Sequence, residues 1–219
     1  MSPGERGALA VFRQVWRPRE AYAVLHDRRS VVPAMASAGV VVVMLSLLLM
    51  VYRTAGSGAS ALPGGRGLMV MRLLAAIAGE RVLIAVVAGT AAWAAARASG
   101  RKCSIGLQIA ASWLSQPIFV ASAIVCGLAL DALAAPPDVT LGPALFLGGP
   151  PLQGPAVMAA GWLMLSMMDL PSILCLTWWG IGMASLEGRR NSSGIVTAFS
   201  LYVLAIVVLS LPLFRTGPG

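Results

Sequence analysis

Residues that could support catalysis are few and widely separated in this 219-residue chain. The single histidine, His26, precedes the first long apolar stretch, which excludes a serine–histidine pair of the rhomboid type within the membrane. The cysteines at positions 103, 126 and 175 lack the spacing of a metal-binding motif. The sequence also has no HExxH motif, no phosphate-binding P-loop and no GxGxxG motif. We therefore predict a protein with no enzymatic activity, no metal and no cofactor.

Asp169 is the ionisable residue that lies well within an apolar stretch, and two interpretations of it are open. An acidic side chain at membrane depth is a candidate for coupling to a proton or a ligand. Aspartate is also a preferred helix N-cap, and Pro171 suits the first turn of a helix that would follow it. Gln108 and Gln116 lie in another uncharged stretch, so these amides and Asp169 could line one polar path.

Membrane-spanning helices are the elements that would position these side chains. Hydrophobic residues make up 58% of the chain and charged residues 11%, whereas a typical soluble domain has about 25% charged residues. Long uncharged stretches in lipid become helices because their backbone groups must bond internally. We predict an all-α polytopic bundle, residues 31–214, followed by a tail, residues 215–219. Its five transmembrane helices are expected at residues 31–52, 82–98, 104–130, 170–186 and 194–214.

Three further segments are expected at the membrane surface. Residues 68–80 and 156–167 are apolar but too short to span, which predicts interfacial or re-entrant helices. The basic N-terminal segment, residues 1–30, has apolar and aromatic residues at helical spacing and would lie in the headgroup plane. Five of its arginines are expected to contact anionic lipid headgroups: Arg13, Arg17, Arg19, Arg28 and Arg29.

The formal net charge of +8 is distributed between the apolar stretches. The basic residues are not interleaved with aromatic residues, which argues against nucleic acid as a partner. Most of them fall on one side of the predicted spans, which places the N-terminus in the cytoplasm and the C-terminus outside. The residues on the cytoplasmic side are Arg6, Arg13, Arg17, Arg19, Arg28, Arg29, Arg97, Arg101, Lys102, Arg189 and Arg190.

A pattern of residues links the last two predicted spans. Asp169 precedes a helix, Trp178 follows about nine residues later, Gly180 and Gly182 form a Gly-x-Gly sequence, and Gly188 lies in the next polar loop. This pattern resembles the carboxyl half of the Yip family domain. The segment RPREAYAVLHDRRSVVPAMASAG is similar to the Pro-led stretch before the first helix of that family. The resemblance implies a five-span protein with a cytosolic N-terminus and no known catalytic residues.

The resemblance also bears on partners and on the source of the chain. Eukaryotic Yip family members are named for their interaction with Ypt/Rab GTPases and work in vesicle trafficking. This chain lacks their long cytosolic N-terminal region, which argues against a Rab-type GTPase as a partner. Its Ala/Arg-rich, Lys-poor composition is typical of bacterial proteins and predicts an inner membrane location.

Two alternative functions are therefore consistent with the sequence. The first is a membrane scaffold or trafficking protein that organises lipids or binds a membrane protein partner. The second is a transporter, or an accessory subunit of a transport complex, with Gln108, Gln116 and Asp169 along its path. A cavity that holds Asp169 and Gln116 would favour transport, whereas a tightly packed centre would favour the scaffold.

Overall fold

The chain is a bundle of α-helices in a computed structural model. The structure describes residues 2–56, 66–133 and 165–215. None of these residues is in a β-strand, which confirms the predicted all-α class. The helices are α1 (Pro3–Trp16), α2 (Pro18–Ala23), α3 (Arg28–Gly56), α4 (Arg66–Ala98), α5 (Ile105–Ala132), α6 (Leu170–Leu186) and α7 (Asn191–Arg215).

Helices α3, α4, α5 and α7 are long and apolar enough to cross a membrane. Helix α6, the remaining predicted span, has 17 residues. Its length is about 26 Å at a rise of 1.5 Å per residue, slightly less than the hydrocarbon thickness of a bilayer. The described helices are thus compatible with a multi-pass integral membrane protein.

The interfacial helix predicted at 68–80 and the span predicted at 82–98 belong to one helix in the structure. Helix α4 continues without a break through both segments. Glu80 and Arg81 form an ion pair at 3.0 Å, and the Arg81 guanidinium lies 4.2 Å above the ring centroid of Phe119. This partial neutralisation and the aromatic contact allow the two charges to remain within a helix.

Two predicted segments lie partly outside the described residues. Within the interfacial or re-entrant segment predicted at 156–167, residues 165–167 are helical and the others are not described. Of the predicted tail, Arg215 belongs to α7, and residues 216–219 are not described.

Small residues bring α4 close to α5. Ala85 and Ala92 are buried, and a Cβ atom added to Gly89 would lie 2.5 Å from Cα of Ile109. Contacts this close require residues with little or no side chain. The spacing of these three small residues in the sequence already predicts such a helix–helix contact.

One end of the bundle carries the N-terminal helices and two short connections. Residues 99–104 join α4 to α5, and residues 187–190 join α6 to α7. The Arg19 guanidinium donates to the Arg189 carbonyl at 3.5 Å. We call residues 2–27, 99–104 and 187–190 the basic end. Helices α4 to α7 each begin or finish there, so depth along the bundle can be counted from it.

Candidate functional site

A cavity of about 460 Å³ lies between α4, α5, α6 and α7. Asp169 lines it just before the start of α6, and Gln116 lines it from the middle of α5. The structure therefore brings together two of the three residues that the sequence predicts for a polar path. The other polar or aromatic residues around the cavity include Arg81, Ser112, Ser115, Ser172, Trp179 and Tyr202.

Asp169 is the N-cap of α6, as one of its two interpretations predicts. Its backbone is extended, with φ −71° and ψ 164°. Its Oδ1 atom accepts a hydrogen bond from the Ser172 N–H at 2.9 Å, and Pro171 occupies the first turn of the helix. A carboxylate has two oxygens, so capping through Oδ1 is compatible with a second contact inside the cavity.

We expect Asp169→Ala to destabilise the protein by about 1 kcal/mol, because the Ser172 N–H loses its acceptor. Asp169→Asn should leave stability nearly unchanged, because asparagine caps helices about as well as aspartate. Unfolding midpoints in a mild detergent would measure both effects. Equal destabilisation by the two substitutions would show that the charge, rather than the cap, sets stability here.

Two buried polar groups belong to residues that line the cavity and have no hydrogen-bond partner among the described residues. Gln116 is only 2% exposed, and its Nε2 donates to the Ser112 carbonyl at 3.2 Å. This bond fixes the orientation of the amide, so Oε1 is the atom left unpaired. The indole N–H of Trp179, 5% exposed, is also unpaired. Leaving such a group unsatisfied costs about 1–3 kcal/mol.

The formal charges of the residues around the cavity do not cancel. Arg81 has a 15% exposed side chain, and its guanidinium is paired with Glu80 and stacked on Phe119. Glu80 is solvent-exposed beside it. With this pair neutralised, the carboxylate of Asp169 supplies the remaining formal charge among the described lining residues. The formal charges of these described residues therefore sum to −1.

The cavity extends to about half the depth of a bilayer. Gln116 lies about three turns along α5, or about 16 Å from the basic end. Half of a hydrocarbon core is about 15 Å. Asp169 lies at the opposite end of α6 from the basic end. The lining residues thus reach from the start of α6 to about the middle of a bilayer.

Gln108, the third residue of the predicted polar path, lies elsewhere. Its Nε2 donates to Glu187 Oε1 at 3.0 Å at the basic end. Gln108 is not among the residues that line the cavity, and about 12 Å separates it from Gln116 along α5. Glu187 also pairs with Arg101 at 3.0 Å and with Arg189 at 2.8 Å. Gln108 is therefore part of a polar cluster that joins the two short connections.

Trp178 and Gly182, from the pattern that resembles the Yip family, hold the N-terminal helices against α6. The Trp178 indole N–H donates to the backbone carbonyl of Gln14 at 2.6 Å. A Cβ atom on Gly182 would lie 2.7 Å from the ring of Tyr22, so only glycine leaves room for that ring. Burial raises the pKa of the Tyr22 phenol well above its usual range, which keeps it neutral.

Gly180 and Gly188, from the same pattern, shape the junction of α6 and α7. A Cβ atom on Gly180 would lie 2.5 Å from Cα of Ile195, so the two helix backbones are nearly in contact. Gly188 has a φ of +64° in the connection between these helices, a conformation that favours glycine. These glycines have packing and turn roles.

The five arginines predicted to contact lipid headgroups all lie exposed at or near the basic end. Arg17 forms an ion pair with Glu20 at 3.4 Å. Next to them, α1 exposes Phe12 and Trp16, the latter 84% exposed. The opposite side of α1 packs on α3, where Ser30 and Pro33 approach Gly7. Helix α1 thus presents an apolar and basic surface away from the bundle.

Several site residues are not predicted from the sequence. Arg81 resembles an interfacial residue when hydropathy alone is considered, and Trp179 resembles a packing residue. Glu187 stands in the polar stretch EGRRNSS, where a solvated turn is the ordinary expectation. The feature of the sequence that could have indicated an ion pair is that Glu187 lies close to two arginines.

The described residues contain no group of three or more His, Cys, Asp and Glu side chains that could hold a metal ion. Compared with protein-family models, with curated proteins and with solved structures, the chain matches none of them. The likeness to the Yip family therefore stays a prediction.

Proposed function

We propose that this protein binds a small molecule within the membrane and moves it, as a transporter or as the membrane subunit of a transport complex, without enzymatic activity. The observation that carries the proposal is the cavity that holds both Asp169 and Gln116. Transporter binding sites lie near the bilayer midplane. A cavity that reaches the middle of this bundle fits that arrangement better than a tightly packed centre.

The unpaired groups of the cavity support the same function. Gln116 and Trp179 offer an acceptor and a donor that nothing else in the described residues satisfies. Buried polar groups are almost always hydrogen-bonded in folded proteins. A volume of about 460 Å³ lies within the range of small-molecule sites, about 300–1,000 Å³.

A cavity-filling substitution tests this proposal. Ala88 lines the cavity from α4, and Ala94 on the same helix is exposed and outside it. In a thermal-shift screen of small polar molecules in mild detergent, we expect some compounds to stabilise the wild type and Ala94→Phe by several degrees. Ala88→Phe should lose that response, because its ring occupies the binding volume. Reconstituted vesicles should then take up the same compounds.

Equal stabilisation of Ala88→Phe and Ala94→Phe by every active compound would show that binding occurs outside the cavity. The proposed function would then be wrong.

We further propose that the basic end faces the cytoplasm of a bacterial cell and that the cavity opens toward the outside of its inner membrane. Basic residues are enriched in cytoplasmic segments of membrane proteins. A reporter that is active only in the cytoplasm should be active when it is fused at residue 2 or at residue 190.

The scaffold function remains a second candidate because of the surface of α1. Exposed Phe12 and Trp16 beside Arg13 and Arg17 suit insertion between anionic headgroups. Solubilised protein should bind anionic vesicles at least tenfold more tightly than neutral ones, and Trp16→Ala with Arg17→Gln should remove the difference. Equal binding to both vesicle types would contradict this role.

A further inference from the structure

We infer that the ligand of the cavity is a small amphipathic ammonium ion that also carries a hydrogen-bonding group on its apolar body. This inference rests on the proposed function, because it assigns a chemical class to the molecule bound in that cavity. It follows from the charge balance of the cavity, the depth of its polar groups and the apolar wall between them.

The charge balance favours a cation. Arg81 is paired with Glu80 and stacked on Phe119, and the formal charges of this pair cancel. Asp169 uses Oδ1 for the Ser172 N–H and retains a negative charge on the cavity. The sequence between residues 134 and 164 contains no Lys, Arg or His, so that segment has no basic side chain to offset the carboxylate. An ammonium group would compensate this charge.

The deep polar groups require a ligand that is more than a simple cation. Counted along α6, Asp169 lies about 9 Å further from the basic end than Cys175. Cys175 contacts Ser115, the neighbour of Gln116, at 3.5 Å. Gln116 therefore lies near the level of Cys175, about 9 Å closer to the basic end than Asp169. A ligand whose ammonium group meets Asp169 can place a hydroxyl or amide N–H near Gln116.

The wall between these two levels is largely apolar and aromatic. Ile84, Ala88, Phe119 and Leu176 contribute to it. Such a wall binds the apolar body of a ligand by removing its surface from water. A simple inorganic cation would leave this surface exposed and the Gln116 amide oxygen unpaired.

A matched set of phenethyl compounds tests the inference. Tyramine carries an ammonium and a phenol, tyrosol replaces the ammonium with a hydroxyl, 4-hydroxyphenylpropanoate replaces it with a carboxylate, and phenethylamine lacks the phenol. Calorimetry on the full chain in detergent should show tyramine binding at least tenfold more tightly than tyrosol and the carboxylate. Phenethylamine should bind a few-fold more weakly than tyramine.

Two variants locate the effect within the cavity. Asp169→Asn keeps the helix cap and should weaken tyramine binding at least tenfold while leaving tyrosol binding unchanged. Gln116→Leu should reduce tyramine binding to the level of phenethylamine. Asp131→Asn, which changes an exposed carboxylate at the far end of α5 and outside the cavity lining, should bind tyramine like the wild type.

Preference for the carboxylate over tyramine, or no binding of tyramine, would overturn the ammonium class. The proposed function would survive that result if the Ala88→Phe screen still identified cavity ligands, and it would fail separately if that screen did not. Equal loss of tyramine binding in Asp169→Asn and Asp131→Asn would show a general charge effect and also contradict the inference.

Discussion

Gly180→Ala is expected to cause a large loss of stability. The added Cβ would lie 2.5 Å from Cα and 2.7 Å from the backbone nitrogen of Ile195. Backbone atoms cannot rotate away as a side chain can, so α6 and α7 would have to separate. Overpacking typically costs about 1–3 kcal/mol and sometimes more, and we expect about 3 kcal/mol here. Unfolding midpoints in mild detergent would measure it.

Gly127→Ala is the matched control, because a Cβ at Gly127 in α5 would meet no atom within 4 Å. This substitution should be neutral or slightly stabilising, since alanine is favoured over glycine in a helix by roughly 0.5–1 kcal/mol. If Gly180→Ala were as stable as Gly127→Ala, the close contact of α6 with α7 would be incorrect.

Glu187→Ala is expected to be the second large effect, at the basic end. The Glu187 side chain is 3% exposed and pairs with Arg101 at 3.0 Å and with Arg189 at 2.8 Å. Removing one partner of a buried ion pair leaves the other charge uncompensated, which costs about 3–5 kcal/mol. We expect about 3 kcal/mol, the lower end, because Arg101 is 36% exposed and reaches solvent. The loss should appear as a lower unfolding midpoint.

Glu20→Ala serves as the comparison for Glu187→Ala. Glu20 pairs with Arg17 at 3.4 Å, but both side chains are more than half exposed. An exposed pair of this kind contributes no more than about 1 kcal/mol. If both substitutions had the same small effect, Glu187 would be an ordinary surface residue and would not join the two connections.

The helical class and most of the spans could be predicted because hydropathy reports directly on the solvent of a segment. Uncharged stretches specify helices in lipid, and α3, α5, α6 and α7 agree with that expectation. The break predicted between residues 80 and 82 does not occur. Hydropathy counts Glu80 and Arg81 as two exposed charges, but it cannot detect that they pair with each other and that Arg81 covers Phe119.

The cavity could be predicted only in part. Asp169 and Gln116 are recognisable because polar residues in uncharged stretches are unusual, and both line the cavity. Gln108 has the same appearance in the sequence but binds Glu187. The two glutamines differ in which helix lies opposite each side chain. The position of a residue along α5 does not specify that opposite helix. Trp179 cannot be recognised as a cavity residue from the sequence, because an indole in an apolar stretch has the same appearance whether it packs or lines a cavity.

Thiol accessibility tests most directly whether the bundle contains a cavity that solutes can enter. Cys175 lines the cavity, whereas Cys126 on α5 is buried and outside the lining. Protein retaining one of these cysteines would be treated in membranes with a small water-soluble methanethiosulfonate, with Ser172→Cys in a cysteine-free chain marking the cavity wall. We predict rapid modification at position 172, slower modification at 175, where the thiol contacts Ser115, and the slowest modification at 126. Protection of position 172 to the same extent as Cys126 would contradict the account.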